Sequence, residues 1–295
     1  MTPGASENTY VLARRALLDA AEALVDQRDA LVLVGAQAIY LQIGDDGLKI
    51  PKMTKDADFA VHPELLVADP LVELAMEGAG FTLDPPEGSG RNRQPGQWYD
   101  GAVQVDLLVP EGLATSKRAH RRSAPVPPHA KTTFGKARGL EASVVDFNSI
   151  VVTALEPHDD RAIELKVAGP MALIVAKSHK LHERVAAGRH DRIDAKDGHD
   201  IYRLLRAFDT SLLVAACVGL LASDIAGPVT VEALVQIEFL FGTPDAPGSV
   251  LVGEAEAFTG DADLARVQSS ALARRLMDSS QLIGLCRPSR ARAAR

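Results

Sequence analysis

The sequence predicts a mixed α/β (α+β) domain followed by a helical domain, and three observations support this fold class. Short apolar runs alternate with amphipathic stretches as far as about residue 168, which is the pattern of a sheet with flanking helices. Beyond Gly169-Pro170 only helical periodicity continues. Aromatic residues make up 4% of the chain and hydrophobic residues 46%, so small aliphatic side chains must build the core. We therefore expect an α/β domain at 1–168 and a helical domain at 169–295.

The elements of the first domain follow from hydrophobic spacing and turn residues. Apolar residues at three-and-four spacing predict a helix at 9–28, and the apolar run 30–34 predicts a buried strand. A helix is expected at 36–43, so Gly35 lies at a strand-to-helix turn, where amides and the helix dipole favour an anion such as phosphate. The later elements are an exposed loop at 44–54, a strand at 58–62, a helix at 63–78 broken or kinked at Pro70, and two hairpins, with strands near 97–99 and 103–109 and at 149–155 and 161–167.

A basic segment at 112–140 separates the two hairpins. It contains seven Lys or Arg, two His, several prolines and no acidic residue. It is either a mobile loop or a cover over an anion, and an RNA backbone is one such anion, with Trp98 and Tyr99 nearby for base stacking. A plain solvated loop fits equally well. The second domain is predicted to contain helices at 171–187, 193–207, 212–221, 229–241 and 262–285, then a basic, frayed tail at 287–295.

Composition narrows the classes of function. A net charge of −7 argues against non-specific nucleic-acid binding, although a local basic patch remains compatible with it. Cys217 and Cys286 lack Cys-x-x-Cys spacing and are expected to be buried thiols, not a disulfide framework or a zinc site. The polar residues 1–8 and the shortness of the apolar runs predict neither a signal peptide nor a membrane span, and hence a cytoplasmic location.

Three aspartates in the first domain predict chemistry. Asp56 and Asp58 are two residues apart on a predicted strand, so their side chains point to the same face. Asp106 lies in the middle of another apolar strand, where an unpaired carboxylate would be costly. Three carboxylates held by rigid strands suggest a site for hard divalent cations.

These residues belong to a wider pattern. An apolar strand, a Gly-small pair that opens a helix, the motif [Ser/Thr]-x-Asp-x-Asp and a later lone strand Asp together resemble the nucleotidyltransferase superfamily. In this sequence the features are Gly35-Ala36, Thr54-x-Asp56-x-Asp58 and Asp106. A second set resembles the helical half of the AbiEii/MenT-like toxins of type IV toxin–antitoxin pairs: Lys177, Arg184, Lys196-Asp197 and Asp200. The two sets cover about residues 30–205, and the resemblance implies a nucleotidyltransferase-like mixed sheet with a C-terminal helical domain.

The resemblance implies an enzyme that moves a nucleoside monophosphate from an NTP to a hydroxyl with the help of two Mg²⁺ ions. Asp56 and Asp58 would ligate both ions, and Asp106 would complete the second metal site. Two-metal sites stabilise the entering and leaving oxygens of an in-line displacement. By analogy with the toxin branch, the acceptor is expected to be a tRNA 3′ end, which would block aminoacylation and arrest growth. A cognate antitoxin is then the expected protein partner.

The resemblance also assigns residues to the triphosphate. Gly35 lets the backbone approach the phosphates, Thr54 offers a hydroxyl near them, and Lys177 places a positive charge against them. Asp197 would orient or pair with Lys177. Ala36 stands where the family usually has a second Gly or Ser, and the gap before Asp56 is longer than usual, so backbone amides, Thr54 and Lys177 would hold the triphosphate.

Two other functions are compatible with the sequence. One is a metal-dependent HD-type phosphohydrolase that uses His199-Asp200 with His179 or His182, although it leaves the three strand aspartates without a role. In the absence of such a site, His179 and His182 are expected to be surface histidines. The other is a degenerate nucleotidyltransferase, suggested by Ala36, that binds a nucleotide or a protein without catalysis.

Overall fold

The computed structural model of the chain describes residues 3–44, 54–115, 122–188, 195–257 and 260–279. The chain divides into two compact units, Met1–Gly169 and Pro170–Arg295, one residue beyond the boundary expected at 168. Four predicted features lie outside the described residues: nearly all of the 44–54 loop, the centre of the basic segment at 116–121, Cys286 and the 287–295 tail.

The first unit is a mixed sheet with flanking helices, which confirms the predicted fold class. Its elements are α1 (Pro3–Ala23), β1 (Leu31–Val34), α2 (Gly35–Ile43), β2 (Asp56–Val61), α3 (Val72–Gly78), β3 (Gln97–Asp100), β4 (Val103–Pro110), β5 (Gly135–Ala137), β6 (Phe147–Thr153) and β7 (Ala162–Ala168). Within the described residues the sheet has seven strands: six are ordered β3-β4-β2-β1-β7-β6, and β5 pairs with β4 outside this order. Short 3₁₀ turns at Val25–Ala30, Pro63–Leu65 and Glu111–Leu113 connect them.

The centre of the sheet reflects two kinds of hydrophobic pattern. All four residues of β1 are buried, as its continuous apolar run predicts. In β4 the side chains alternate: Val103, Val105, Leu107 and Val109 are buried, while the residues between them are half-buried up to Leu108. The strand pairs antiparallel with β3, which confirms the first predicted hairpin, and β6 pairs antiparallel with β7, which confirms the second. One face of β4 therefore packs into the core and the other remains accessible.

The helix predicted at 63–78 is wrong over its first half. Only Pro63–Leu65 forms a 3₁₀ turn, and the α-helix α3 starts at Val72. Proline has no amide hydrogen, and its ring disfavours helical backbone at the preceding residue. Of the two predicted alternatives at Pro70, a break and a kink, the structure shows the break.

The described part of the basic segment 112–140 is folded against the sheet, so the expectation of a plain solvated loop is wrong there. Strand β5 extends the sheet beside β4, and Thr133 and Phe134 are buried. Lys136 lies 3.3 Å from a carboxylate oxygen of Glu111, so part of the positive charge is neutralised inside the unit.

The second unit is helical, as predicted. Its helices are α4 (Pro170–Ala186), α5 (Ala195–Ala207), α6 (Thr210–Leu221), α7 (Gly227–Phe241), α8 (Pro247–Glu256) and α9 (Ala262–Met277). Cys217 of α6 is buried, as expected. Among the described helices none is by itself long and apolar enough to cross a membrane; only α5 and α6 taken together, bent by 109° where they meet, pass on length and composition.

Helix α8 was not predicted, and its sequence contains three residues that disfavour helices, Pro247, Gly248 and Gly253. In the structure the proline occupies the first turn, which tolerates a missing amide hydrogen. A Cβ on Gly248 would lie 2.7 Å from the ring of Phe241, and one on Gly253 would lie 2.7 Å from the side chain of Arg266. The two glycines therefore allow neighbouring helices to approach closely.

Candidate functional site

Strands β2 and β4 bring the three predicted aspartates to one face of the sheet. The strands are parallel and adjacent, with Asp58 directly beside Asp106 and Asp56 beside Gln104. Side chains at paired positions share a face, and strands lie about 4.8 Å apart. All four side chains are half-buried, whereas side chains of the opposite parity, such as Ala57, are buried in the core. The result is a row of polar side chains on an accessible face above an apolar core.

Gly35 joins this face from the neighbouring strand. Strand β1 pairs antiparallel with β2 so that Val34 lies opposite Asp58, and Gly35 then begins α2 with a φ of +72°. A Cβ on Gly35 would lie 2.0 Å from Oδ2 of Asp58. A side chain is therefore excluded at Gly35 by the Asp58 carboxylate as well as by the backbone angle. Ala36, the next residue of α2, is buried.

Asp56 is held by two polar side chains. The hydroxyl of Thr54, itself buried, donates a hydrogen bond to the Asp56 carboxylate. Gln37 of α2 donates from Nε2 to the Asp56 carbonyl oxygen at 3.2 Å and to the Ala13 carbonyl oxygen at 3.0 Å. The Thr54 hydroxyl, expected near the phosphates, is thus a contact of the first aspartate in the motif.

Three residues of this face were missed by reasoning from the sequence: Gln37, Gln104 and Arg91. Gln104 donates to Oδ1 of Asp106 at 2.7 Å and accepts from Arg91 at 3.1 Å. A signal was present for Gln104, because it lies two residues before Asp106 on the same strand and shares its face. Gln37 and Arg91 carry no comparable signal, since their contacts depend on how distant segments meet.

The donors on this face fit Mg²⁺, which prefers carboxylate oxygens. As they stand, no three His, Cys, Asp or Glu side chains within the described ranges are grouped closely enough to hold a metal ion. Like charges on directly paired strand positions repel one another, so a cation between Asp58 and Asp106 would offset that repulsion. Rotation toward a common cation would be required, and both side chains start from neighbouring backbone positions.

Lys177 and Asp197, the other two predicted catalytic residues, lie in the second unit, where the expected pairing between them is wrong. Lys177 of α4 donates from Nζ to Oδ2 of Asp200 at 2.6 Å. Asp197 instead accepts a hydrogen bond from the guanidinium of Arg184. Asp200 is completely buried. Burial alone would raise the pKa of the Asp200 carboxyl, but Lys177 and the other nearby cations outweigh burial and hold that pKa below its ordinary value.

The histidines of the second unit are engaged with different helices. His179 is buried, with Nε2 2.9 Å from the Val229 carbonyl oxygen, so the expectation of a surface histidine is wrong for this residue. His199 donates from Nε2 to Glu256 of α8 at 2.8 Å, because a carboxylate can only accept. Burial, aided by Arg203, lowers the pKa of His199, although Glu256 acts in the opposite direction. These separate partners give the HD-type phosphohydrolase little geometric support.

The two aromatic residues expected to stack on RNA bases lie inside the first unit. Trp98 and Tyr99 of β3 are buried, and the indole Nε1 of Trp98 donates to the Thr133 carbonyl oxygen at 3.1 Å. The expectation that they stack on bases is therefore wrong, since neither ring is exposed.

Comparison with known proteins gives no relative for this chain. No protein-family model matches it, and neither a curated protein nor a solved structure matches it significantly. The resemblance to nucleotidyltransferases and to AbiEii/MenT-like toxins stays a prediction from the motifs.

Proposed function

We propose that the first unit is a Mg²⁺-dependent nucleotidyltransferase that moves a nucleoside monophosphate from an NTP to a hydroxyl. The observation that supports it most is the register of β2 and β4, which aligns Asp58 with Asp106 and leaves Asp56 on the same half-buried face. Like charges at paired strand positions repel, so this arrangement is costly without a counter-ion. A cation-binding site would account for it.

The cation would be held by Asp56, Asp58 and Asp106. When bound there, Mg²⁺ supplies charge neutralisation for a triphosphate and lowers the pKa of an attacking hydroxyl. Thr54 and Gln37 hold Asp56 in place, so that one ligand is oriented before the ion arrives.

The phosphates would lie at the start of α2. The first amides of a helix have no partner within the helix and, with the helix dipole, favour an anion. Gly35 opens this helix in direct contact with Asp58, so an anion at the amides would be close to a cation on the carboxylates. This arrangement does not need the hydroxyl that Ala36 lacks.

An RNA acceptor, with a tRNA 3′ end as the specific candidate, follows from the family resemblance and is also favoured by charge. The exposed Arg91 and Arg93 lie in the loop before β3, and Arg122 of the basic segment donates to Gln94 of that loop at 2.9 Å. A basic surface beside the aspartates suits a polyanionic acceptor. A growth-arresting toxin with a cognate antitoxin is the biological role that such an activity implies by resemblance.

Incubation of the full chain with Mg²⁺, each labelled NTP and total tRNA tests the proposal. We expect label on RNA with the wild type, none with Asp56→Ala or Asp58→Asn, and wild-type labelling with Asp100→Asn, a matched change on β3 outside the three aspartates. Label on protein would show that the acceptor is a protein and not RNA. Nucleotide binding without transfer would indicate the degenerate module, and phosphate release that survives Asp56→Ala but not Asp200→Ala would indicate the hydrolase.

A further inference from the structure

A hydrogen-bonded chain of three side chains connects an exposed loop to the carboxylate face. Nη1 of Arg91 donates to Oε1 of Gln104 at 3.1 Å, and Nε2 of Gln104 donates to Oδ1 of Asp106 at 2.7 Å. Arg91 is exposed, whereas Gln104 and Asp106 are half-buried on β4. The chain therefore runs from solvent to the third carboxylate of the candidate site.

The chemistry of the neighbours fixes the orientation of the Gln104 amide. A guanidinium has only donors, and an ionised carboxylate has only acceptors. Of the two ways to place the oxygen and nitrogen of the amide, only the one with Oε1 toward Arg91 and Nε2 toward Asp106 satisfies both. Arg91 thus ensures that Gln104 presents a donor, and not an acceptor, to Asp106.

The position of Gln104 in the sheet adds a second, independent argument. It is aligned with Asp56 on the adjacent strand and lies two residues before Asp106, so it shares the face of all three aspartates. Its neighbours Val103 and Val105 face the core and are buried, whereas Gln104 points to the opposite, half-buried face. Core packing therefore does not explain why an amide side chain stands at this position. A side chain there that donates to one carboxylate can restrict that carboxylate without adding charge.

We propose that Gln104 is a positioning residue that sets the orientation of the Asp106 carboxylate for a divalent cation, and that Arg91 anchors Gln104 in this role. The proposal rests on the proposed function, because it presumes that Asp106 ligates a cation. Side chains that hydrogen-bond to a metal ligand orient it and change metal affinity by about 10–100-fold when removed. Gln104 acts through Asp106 and does not itself touch the cation.

The proposal can be tested without any activity measurement. The full chain is titrated with Mn²⁺ in the absence of nucleotide, and binding is monitored through the electron paramagnetic resonance signal of free Mn²⁺. We compare the wild type with Gln104→Met, which keeps the length but removes both hydrogen bonds, and with Arg91→Ala. Asp106→Asn is the reference for a lost ligand. Arg93→Ala is the matched control, because Arg93 is an exposed arginine of the same loop that pairs with Asp84 at 3.4 Å instead. Thermal unfolding without metal is recorded for each variant.

We expect Gln104→Met to weaken Mn²⁺ binding by about 10-fold or more, Arg91→Ala to weaken it by less, and Arg93→Ala to leave it unchanged. A purely structural role would lower the melting temperature without metal and leave the Mn²⁺ affinity of the folded protein unaltered, which overturns the proposal. If Gln104→Met does not fold, the exposed Arg91→Ala decides the outcome by the same criterion. Wild-type binding that Asp106→Asn abolishes and Gln104→Met leaves intact overturns only this inference, whereas a wild type that binds no Mn²⁺ overturns the proposed function with it.

Discussion

Gly35 and Asp58 approach each other so closely that a Cβ atom on Gly35 would lie 2.0 Å from Oδ2 of Asp58. The glycine ends the buried strand β1 and starts α2, and the aspartate is on the adjacent strand β2. The turn therefore brings the start of a helix, which favours an anion, against a carboxylate expected to bind a cation. A nucleoside triphosphate with its bound metal ion supplies both, the anionic phosphates and the cation.

Substitution of Gly35 by alanine is the first prediction. The variant combines a positive φ, which costs a residue with a Cβ about 1–2 kcal/mol, with displacement of the Asp58 carboxylate. A shift of about 1 Å in a catalytic group can cost about 100-fold in rate, so we expect nucleotide transfer to fall by about that factor. The measurement is the transfer rate at saturating Mg²⁺ together with the free energy of unfolding.

Gly44 provides the matched control for this prediction. It has the same φ of +72°, and no heavy atom of the described residues lies within 4 Å of the position that its Cβ would take. Its ψ of −159° places Gly44 in a region that essentially only glycine occupies, so Gly44→Ala should lose stability at least as much while transfer is retained. Equal losses of transfer in the two variants would show that backbone strain, and not contact with Asp58, is responsible.

Short-range pattern predicts the central part of the site, and long-range contacts are what it misses. A continuous apolar run ending in glycine predicts β1 and the turn at Gly35, and alternation predicts β4 with Asp106 on its accessible face. In contrast, Asp197 and Asp200 are three residues apart on a helix, so both face the same side, and helical period cannot choose the partner of Lys177. The structure selects Asp200 because of how α4 and α5 pack.

Substitution of Asp106 by asparagine is predicted to have opposite effects on stability with and without metal. In the absence of Mg²⁺ the variant removes the repulsion between Asp106 and Asp58, which are directly paired, and should be as stable as the wild type or more stable by about 0.2–1 kcal/mol. The amide oxygen of asparagine can still accept from Gln104. With Mg²⁺ only the wild type should gain stability, because ligand binding to the folded state alone raises its stability. Thermal unfolding with and without Mg²⁺ measures both effects, and a variant stabilised by Mg²⁺ as much as the wild type would contradict the metal site.

Lys177→Met is predicted to destabilise the second unit by about 3–5 kcal/mol, because it leaves the completely buried Asp200 carboxylate without its closest cation. Arg203, whose Nη1 lies 3.8 Å from Oδ1 of Asp200, should keep the loss toward the lower end. The double variant Lys177→Met/Asp200→Leu should recover part of the loss, since the carboxylate that Lys177 neutralises is removed with it, while the buried Arg203 keeps its charge. Loss of activity in Lys177→Met can be assigned to catalysis only if the variant is folded.

Denaturant unfolding followed by far-UV circular dichroism measures the effect of Lys177→Met. The single tryptophan of the chain, Trp98, is buried in the first unit, so its fluorescence reports that unit separately. We expect Lys177→Met to shift the dichroism transition to a lower denaturant concentration than in the wild type. The tryptophan transition shows whether the stability of the first unit changes as well. A double variant less stable than Lys177→Met would contradict the assignment of the loss to an unpaired carboxylate.

Acidification is predicted to destabilise the second unit through His199. Its pKa in the folded state is below the ordinary 6.5, because burial and Arg203 outweigh Glu256. The unfolded chain therefore binds a proton at a higher pH than the folded chain does. The contribution of His199 to stability is complete above about pH 6.5 and is lost as the pH falls from there toward the folded-state pKa.

His199→Gln removes the titrating group, and a glutamine amide can still donate to Glu256, so this variant should lose less stability than the wild type between pH ~7 and ~5. Glu256→Gln removes the group that raises the pKa of His199 and should extend the loss to lower pH. Dichroism-monitored unfolding at a series of pH values measures these slopes, and a His199→Gln slope as steep as that of the wild type would contradict the prediction.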